Sequence, residues 1–159
     1  MEHHHHDPGR APDRRALTRT ALSATVHCLT GCAIGEVLGM VIGTASRLGN
    51  WTTVLLSVVL AFFFGYSLTM LPLLRSGLGL KTAVALAFAS DTASIGLMEI
   101  VDNLIMLVIP GAMEAGLGSL LFWGSLIASL VIAGAAAFPL NRWLISRGMG
   151  HAVIHAQHH

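Results

Sequence analysis

Charge is what this sequence has least of: 11% of its 159 residues are Asp, Glu, Lys or Arg, against 54% hydrophobic residues. A water-soluble domain carries roughly a quarter of its residues charged, so the solvent for this chain is sought in lipid. No basic tract or aromatic-basic patch is present, and the net charge of +1 gives nucleic acid no footprint. Cysteine is nearly absent. Cys28 and Cys32 both lie in an apolar stretch, which excludes a disulfide-held secreted scaffold and leaves them as free thiols or ligands. Also missing are a Ser-His pair and an HExxH segment. Two cysteines one helical turn apart are poorly placed for a catalytic disulfide, so no enzyme is expected.

What the sequence does have is long apolar runs. A bilayer core about 30 Å thick takes roughly 20 apolar residues per helical crossing, and four runs of that length fit: residues 21–44, 51–71, 81–109 and 120–145. The first follows Arg14, Arg15 and Arg19 as a signal peptide would, but it is too long for a signal core and holds His27 and Glu36 at depth, so it reads as a retained helix. The expectation is an all-α membrane protein of four transmembrane helices with short loops. It divides into a mobile His/Arg-rich tail over 1–19, a four-helix domain over 20–147 and a His-rich tail over 148–159. Pro72 and the glycines after it mark 72–80 as a connection, Pro110-Gly111 stops the third helix, and Pro139 is a point where the fourth could bend.

Orientation follows from the flanks. Arg10, Arg14, Arg15, Arg19, Arg75, Lys81, Arg142 and Arg147 fall on one side and Arg47 alone on the other. The positive-inside rule makes the first side cytoplasmic, N-in and C-in, and the expected location is a bacterial inner membrane.

Two polar stripes interrupt the apolar runs. Cys28, Cys32 and Glu36 are spaced i, i+4, i+8 on the first helix, with His27 one step aside; side chains at that spacing share a face. Gly31, Gly35, Gly39 and Gly43 form a small-xxx-small series on the same helix, which lets a neighbouring backbone come close. On the third helix Asp91, Met98 and Asp102 fall within a sector of roughly 40°, with Glu99 and Met106 at its edge. A charge at the bilayer centre costs roughly 2.5–3.5 kcal/mol on insertion scales. Four carboxylates at depth therefore need each other, a proton, water or a cation, and the two stripes are expected to meet across the Gly31–Gly35–Gly39 ridge. Counting 1.5 Å per residue, Cys28 is level with Asp91, and Glu36 with Met98 and Glu99. Asp102, near the outer interface, is read as solvated.

Thiol, thioether and imidazole donors favour Cu(I), then Zn²⁺. His27, Cys28, Cys32 and Met98 are thus candidate metal ligands. Glu36, Asp91, Glu99 and Asp102 are candidates for proton or ion coupling. His3 to His6 and His151, His155, His158 and His159 could collect metal on the cytoplasmic side, although the first run also has the pattern of an added tag. The bland alternatives are small core residues for the thiols, filler for Met70, Met98, Met106 and Met113, and register-fixing hydrogen bonds for the carboxylates.

The segments His27 to Glu36, Asp91 to Asn103 and Asn141-Arg142-Trp143-Leu144-Ile145 resemble a bacterial family, domain of unknown function 4396, over about residues 20–150. The resemblance implies a bacterial integral membrane domain, often His-rich at its ends and associated with metal, and no activity to carry over. The leading expectation is a soft-metal binding and transporting protein, with a small homo-oligomer as its assembly. The others are a proton-coupled exporter similar to the small multidrug resistance family and an accessory subunit of a larger membrane complex. The first of these departs from its family through the His-Cys-x-x-x-Cys segment, the three-carboxylate helix and the one-sided charge.

Overall fold

The structure is a computed structural model describing residues 14–112 and 114–147. The terminal histidines, most of the tail segments and Met113 lie outside the described residues. Four helices follow one another: α1 (Arg14–Ala45), α2 (Asn50–Arg75), α3 (Leu80–Val108) and α4 (Leu120–Ser146). Each is long and apolar enough to cross a membrane.

Several boundaries differ from the sequence expectation. α1 starts at Arg14, inside the segment expected to be a tail, because nothing between Arg14 and Thr20 breaks a helix and Thr18 and Thr20 bond back to the carbonyls of Arg14 and Ala16. α2 runs through Pro72 to Arg75. A proline removes a single backbone donor, and this close to the helix end the following bonds still form, Ser76 N–H donating to the Pro72 carbonyl at 3.0 Å. The chain then turns at Gly77, φ +89°, with Gly77 N–H bonded to Leu74 and Leu78 N–H to Leu73, the paired closure that a left-handed residue after a helix permits. Arg47, φ +53°, ends α1 by the same pattern, Arg47 to Thr44 and Leu48 to Gly43.

The bundle buries its polar residues among small apolar ones and turns large apolar side chains outward. On α2, Thr53, Ser57, Ala61, Gly65 and Thr69 are buried, while Trp51, Leu55, Val59 and Phe63 on the far side are each more than half exposed. The same holds on α3, where Ser90, Asp91, Ser94, Glu99 and Asp102 are buried and Phe88, Ile100, Leu104 and Val108 face outward. In water this would leave an oversized apolar surface. In lipid it is the required arrangement, because polar groups need partners within the protein.

The closest helix pair is α1 with α2. A Cβ added at Gly31 would come 2.7 Å from Gly65 Cα, one at Gly35 would overlap the Ala61 backbone, and ones at Gly39 and Gly43 would strike Ser57 and Thr53. Each four-residue step up α1 is met by a four-residue step down α2. His27 and Thr69 extend the series, Nε2 to Oγ1 2.9 Å. The glycine ridge therefore docks α2, not α3 as expected from the polar stripes. The reason is that α2 carries its own small-residue series in complementary register, whereas the inner face of α3 carries Ile95, Met98 and Glu99, too bulky for backbone contact.

The remaining helices close the bundle with fewer close approaches. Asn141 Nδ2 donates to Thr25 Oγ1 at 2.9 Å between α4 and α1, and both residues are buried. Tyr66 and Thr92 hydroxyls meet at 2.9 Å between α2 and α3. Ala21, Ala24 and Ile145 pack together near the first turns of α1 and the last of α4, so both chain ends leave from one end of the bundle. The two interhelical loops containing Arg47 and Glu114 are at the other.

Gly35→Leu is expected to destabilise the bundle by at least about 1–3 kcal/mol, the usual range for overpacking, because the obstruction is backbone. Gly49→Ala, where a Cβ meets nothing within 4 Å, serves as the control. Melting of both variants in detergent checks the pair, and equal melting temperatures would contradict the α1–α2 contact.

Candidate functional site

Helical periodicity puts Cys28, Cys32 and Glu36 on one face of α1, and with the ridge taken by α2 that face turns toward α3. Cys28 and Cys32 are each 1% exposed, Met98 is fully buried, and the three pack into one cluster with Ile95, Ala61, Ala133 and Ala137. Two thiols and a thioether thus share one dry pocket of side chains, walled on the far side by the alanines of α4.

Carboxylates accompany them along the seam. Asp91 lies beside Cys28 and accepts a hydrogen bond from Ser90 Oγ at 2.8 Å. Glu99 adjoins Cys32, and Glu36 faces both Glu99 and Asp102. Ser129 of α4 sits beside Asp102. The order along the seam is Asp91, Cys28, Cys32, Glu99, Glu36, Asp102. No Lys or Arg occurs between Thr20 and Ser46 or between Thr82 and Asn141, the stretches from which the seam is built.

Two parts of the sequence reading change here. Asp102, read as solvated near the outer interface, is 4% exposed. α1 and α3 are shifted relative to the starts assumed from sequence, so Glu36 is level with Asp102 as well as Glu99, and the loop after Val108 covers both. His27 is the other change. Its ring reaches Thr69 on α2, continuing the glycine ladder, so the four expected metal ligands do not all face one point. Among the described residues no three His, Cys, Asp or Glu side chains are arranged to hold a metal ion. The structure brings together Cys28, Cys32 and Met98 and leaves His27 on a neighbouring face.

Residues that sequence reasoning passed over complete the seam. Ser94 and Ser129 are fully buried, Ser94 beside Cys28 and Ser129 beside Asp102. Thr25, Thr69 and Asn141 link helices. Their signal was available: each is a polar residue inside an apolar run, and Asn141 stands in the Asn141 to Ile145 segment already singled out.

The seam opens at the loop end into a cavity of about 260 Å³, whose lining includes Glu36 and Asp102. Neither oxygen of Glu36, nor Oδ1 of Asp102, has a hydrogen-bond partner among the described residues.

A bundle of four membrane-spanning helices with acidic groups and thiols along its interior is a multi-pass integral membrane protein in contact with the lipid bilayer. The model of the family described as a domain of unknown function (DUF4396) matches residues 18–150, and the chain belongs to that family. No curated protein and no solved structure matches the chain.

Burial of both thiols makes a reactivity prediction. In the native protein Cys28 and Cys32 should react with a water-soluble maleimide at least about tenfold more slowly than after unfolding in sodium dodecyl sulfate, because labelling requires local opening. Mass spectrometry of the labelled protein checks it, and comparable rates would place the thiols in water.

Proposed function

We propose that this protein binds a soft metal cation within the membrane, Cu(I) ahead of Zn²⁺, and passes it along the seam between α1 and α3. The observation that carries the reading is the convergence of Cys28, Cys32 and Met98 in one buried cluster. Thiolate and thioether donors select soft cations of low coordination number, and this set of two thiols and a thioether uses no carboxylate or imidazole. The flanking carboxylates Asp91, Glu99, Glu36 and Asp102 supply negative charge at a depth where the sequence provides no Lys or Arg, an arrangement suited to a passing cation or proton.

Thiols bind metal as thiolates, so loading releases protons and affinity falls as pH drops. Glu36, one turn from Cys32 and facing Glu99 and Asp102, is the group that exchanges a proton as the ion moves. The flank charges orient both chain ends to the cytoplasm of a bacterial inner membrane. The exposed apolar outer faces of the helices leave room for a homo-oligomer or a larger complex.

Three measurements test this. Purified protein is expected to bind Cu(I), more weakly as pH falls from about 8 to 6 because protons compete for the thiolates. The Cys28→Ser, Cys32→Ser double variant should lose the metal, while Glu36→Gln keeps it but loses the pH dependence of flux into liposomes. Elemental analysis showing no metal in wild type would end the metal reading, and flux that varies with pH in Glu36→Gln as it does in wild type would remove Glu36 from the mechanism. A reporter fused after Ser146 should read cytoplasmic, and a periplasmic signal would reverse the orientation.

A further inference from the structure

The cavity at the loop end lies beyond the sulfur cluster. Glu36 and Asp102 form its floor, Glu114 stands at its mouth, and Met40, Met106 and Phe122 are among its walls. We propose that this cavity is a binding site for a small organic ammonium ion, with Glu36 and Asp102 as its anionic floor. The inference shares Glu36 and Asp102 with the soft-metal reading but uses none of the sulfur donors of the seam.

Three observations support it. Glu36 is 6% exposed and Asp102 4%, and three of their four carboxylate oxygens are buried with no donor from the described residues. Glu36 and Asp102 adjoin one another and can share one proton, which leaves the pair with one negative charge and a buried oxygen still short of a donor. An ammonium group supplies up to three N–H bonds at one point. Next, among the described residues no Lys, Arg or His lines the cavity, so its field favours a cation. Finally, the chemistry of the walls separates an organic cation from a metal ion. The three carboxylates do not converge as metal ligands, while thioether and aromatic walls accept a hydrocarbon body and interact favourably with a cationic head.

Size limits the ligand. At about 260 Å³ the cavity lies just below the range of roughly 300–1,000 Å³ usual for small-molecule pockets, which suits a compact amine and excludes a bulky lipophilic drug. The head would bond Glu36 and Asp102, and the body would rest between Met40, Met106 and Phe122. The cavity is reached from the loop end, opposite both chain ends.

The test uses the full chain in phosphatidylcholine nanodiscs, whose zwitterionic lipid holds no net charge, with benzylammonium as the probe and equilibrium dialysis against empty nanodiscs as background. Saturable one-to-one binding is expected, with no saturable binding of neutral benzyl alcohol. Glu36→Gln should weaken binding roughly 10- to 100-fold, the loss expected when a charged hydrogen-bond partner is neutralised. Val54→Phe, which fills the cavity from α2 without touching its charge, should weaken it as well, so a folding defect in either variant does not decide the question. The Cys28→Ser, Cys32→Ser variant should bind benzylammonium as wild type does, which keeps this result separate from the metal reading. Equal uptake of benzyl alcohol, displacement by Mg²⁺ at equal concentration, or no saturable binding to wild type would each overturn the proposal.

Discussion

Backbone contact between α1 and α2 is the constraint on which the rest of the bundle depends. Lipid tails are as apolar as leucine, so helices in a membrane associate through close packing and hydrogen bonds instead of apolar burial. Gly31, Gly35, Gly39 and Gly43 meet Gly65, Ala61, Ser57 and Thr53 in strict sequence, and no other pair of helices here approaches through so long a series of small residues. Once α2 occupies that face, the rotation of α1 is fixed. Its next face, bearing Cys28, Cys32 and Glu36, must then look toward α3 and α4.

The chemistry of the interior follows from that rotation. Carboxylates placed on α3 would be costly in lipid, but they are level with the polar face of α1 and lie under α4, whose inner surface is Ser125, Ser129, Ala133, Gly134 and Ala137. Small residues on α4 let it pack directly over Cys28, Cys32 and Met98. The result is a continuous acidic and sulfur-bearing interior, closed at the end where Ala21, Ala24 and Ile145 pack and open as a cavity at the other.

How much of the candidate site could be read from sequence depends on the residue. The i, i+4, i+8 spacing of Cys28, Cys32 and Glu36 put them on one face because a single helix obeys its own period. Met98 and Glu99 could be matched to them in depth by counting rises. Asp102 does lie toward the loop end of α3 and lines the cavity there, but its burial comes from Glu36 of α1 and Ser129 of α4 packed beside it, which no count of rises along one helix can show. His27 was grouped with the cysteines for its neighbouring position, yet one residue is 100° of rotation, enough to give it to α2 and Thr69.

The sequence by itself determined that this chain spans a membrane four times as helices, since apolar length and stop signals act locally, and it determined which polar residues share a face. Only the tertiary structure decided which neighbour each face receives. The glycine ridge could have accepted any helix with a matching row of small side chains. That row is on α2, spread through an apolar run where Thr53, Ser57, Ala61, Gly65 and Thr69 give little signal alone. Their fit to α1 is a property of two surfaces at one register, and register is set by contact, which no single helix encodes.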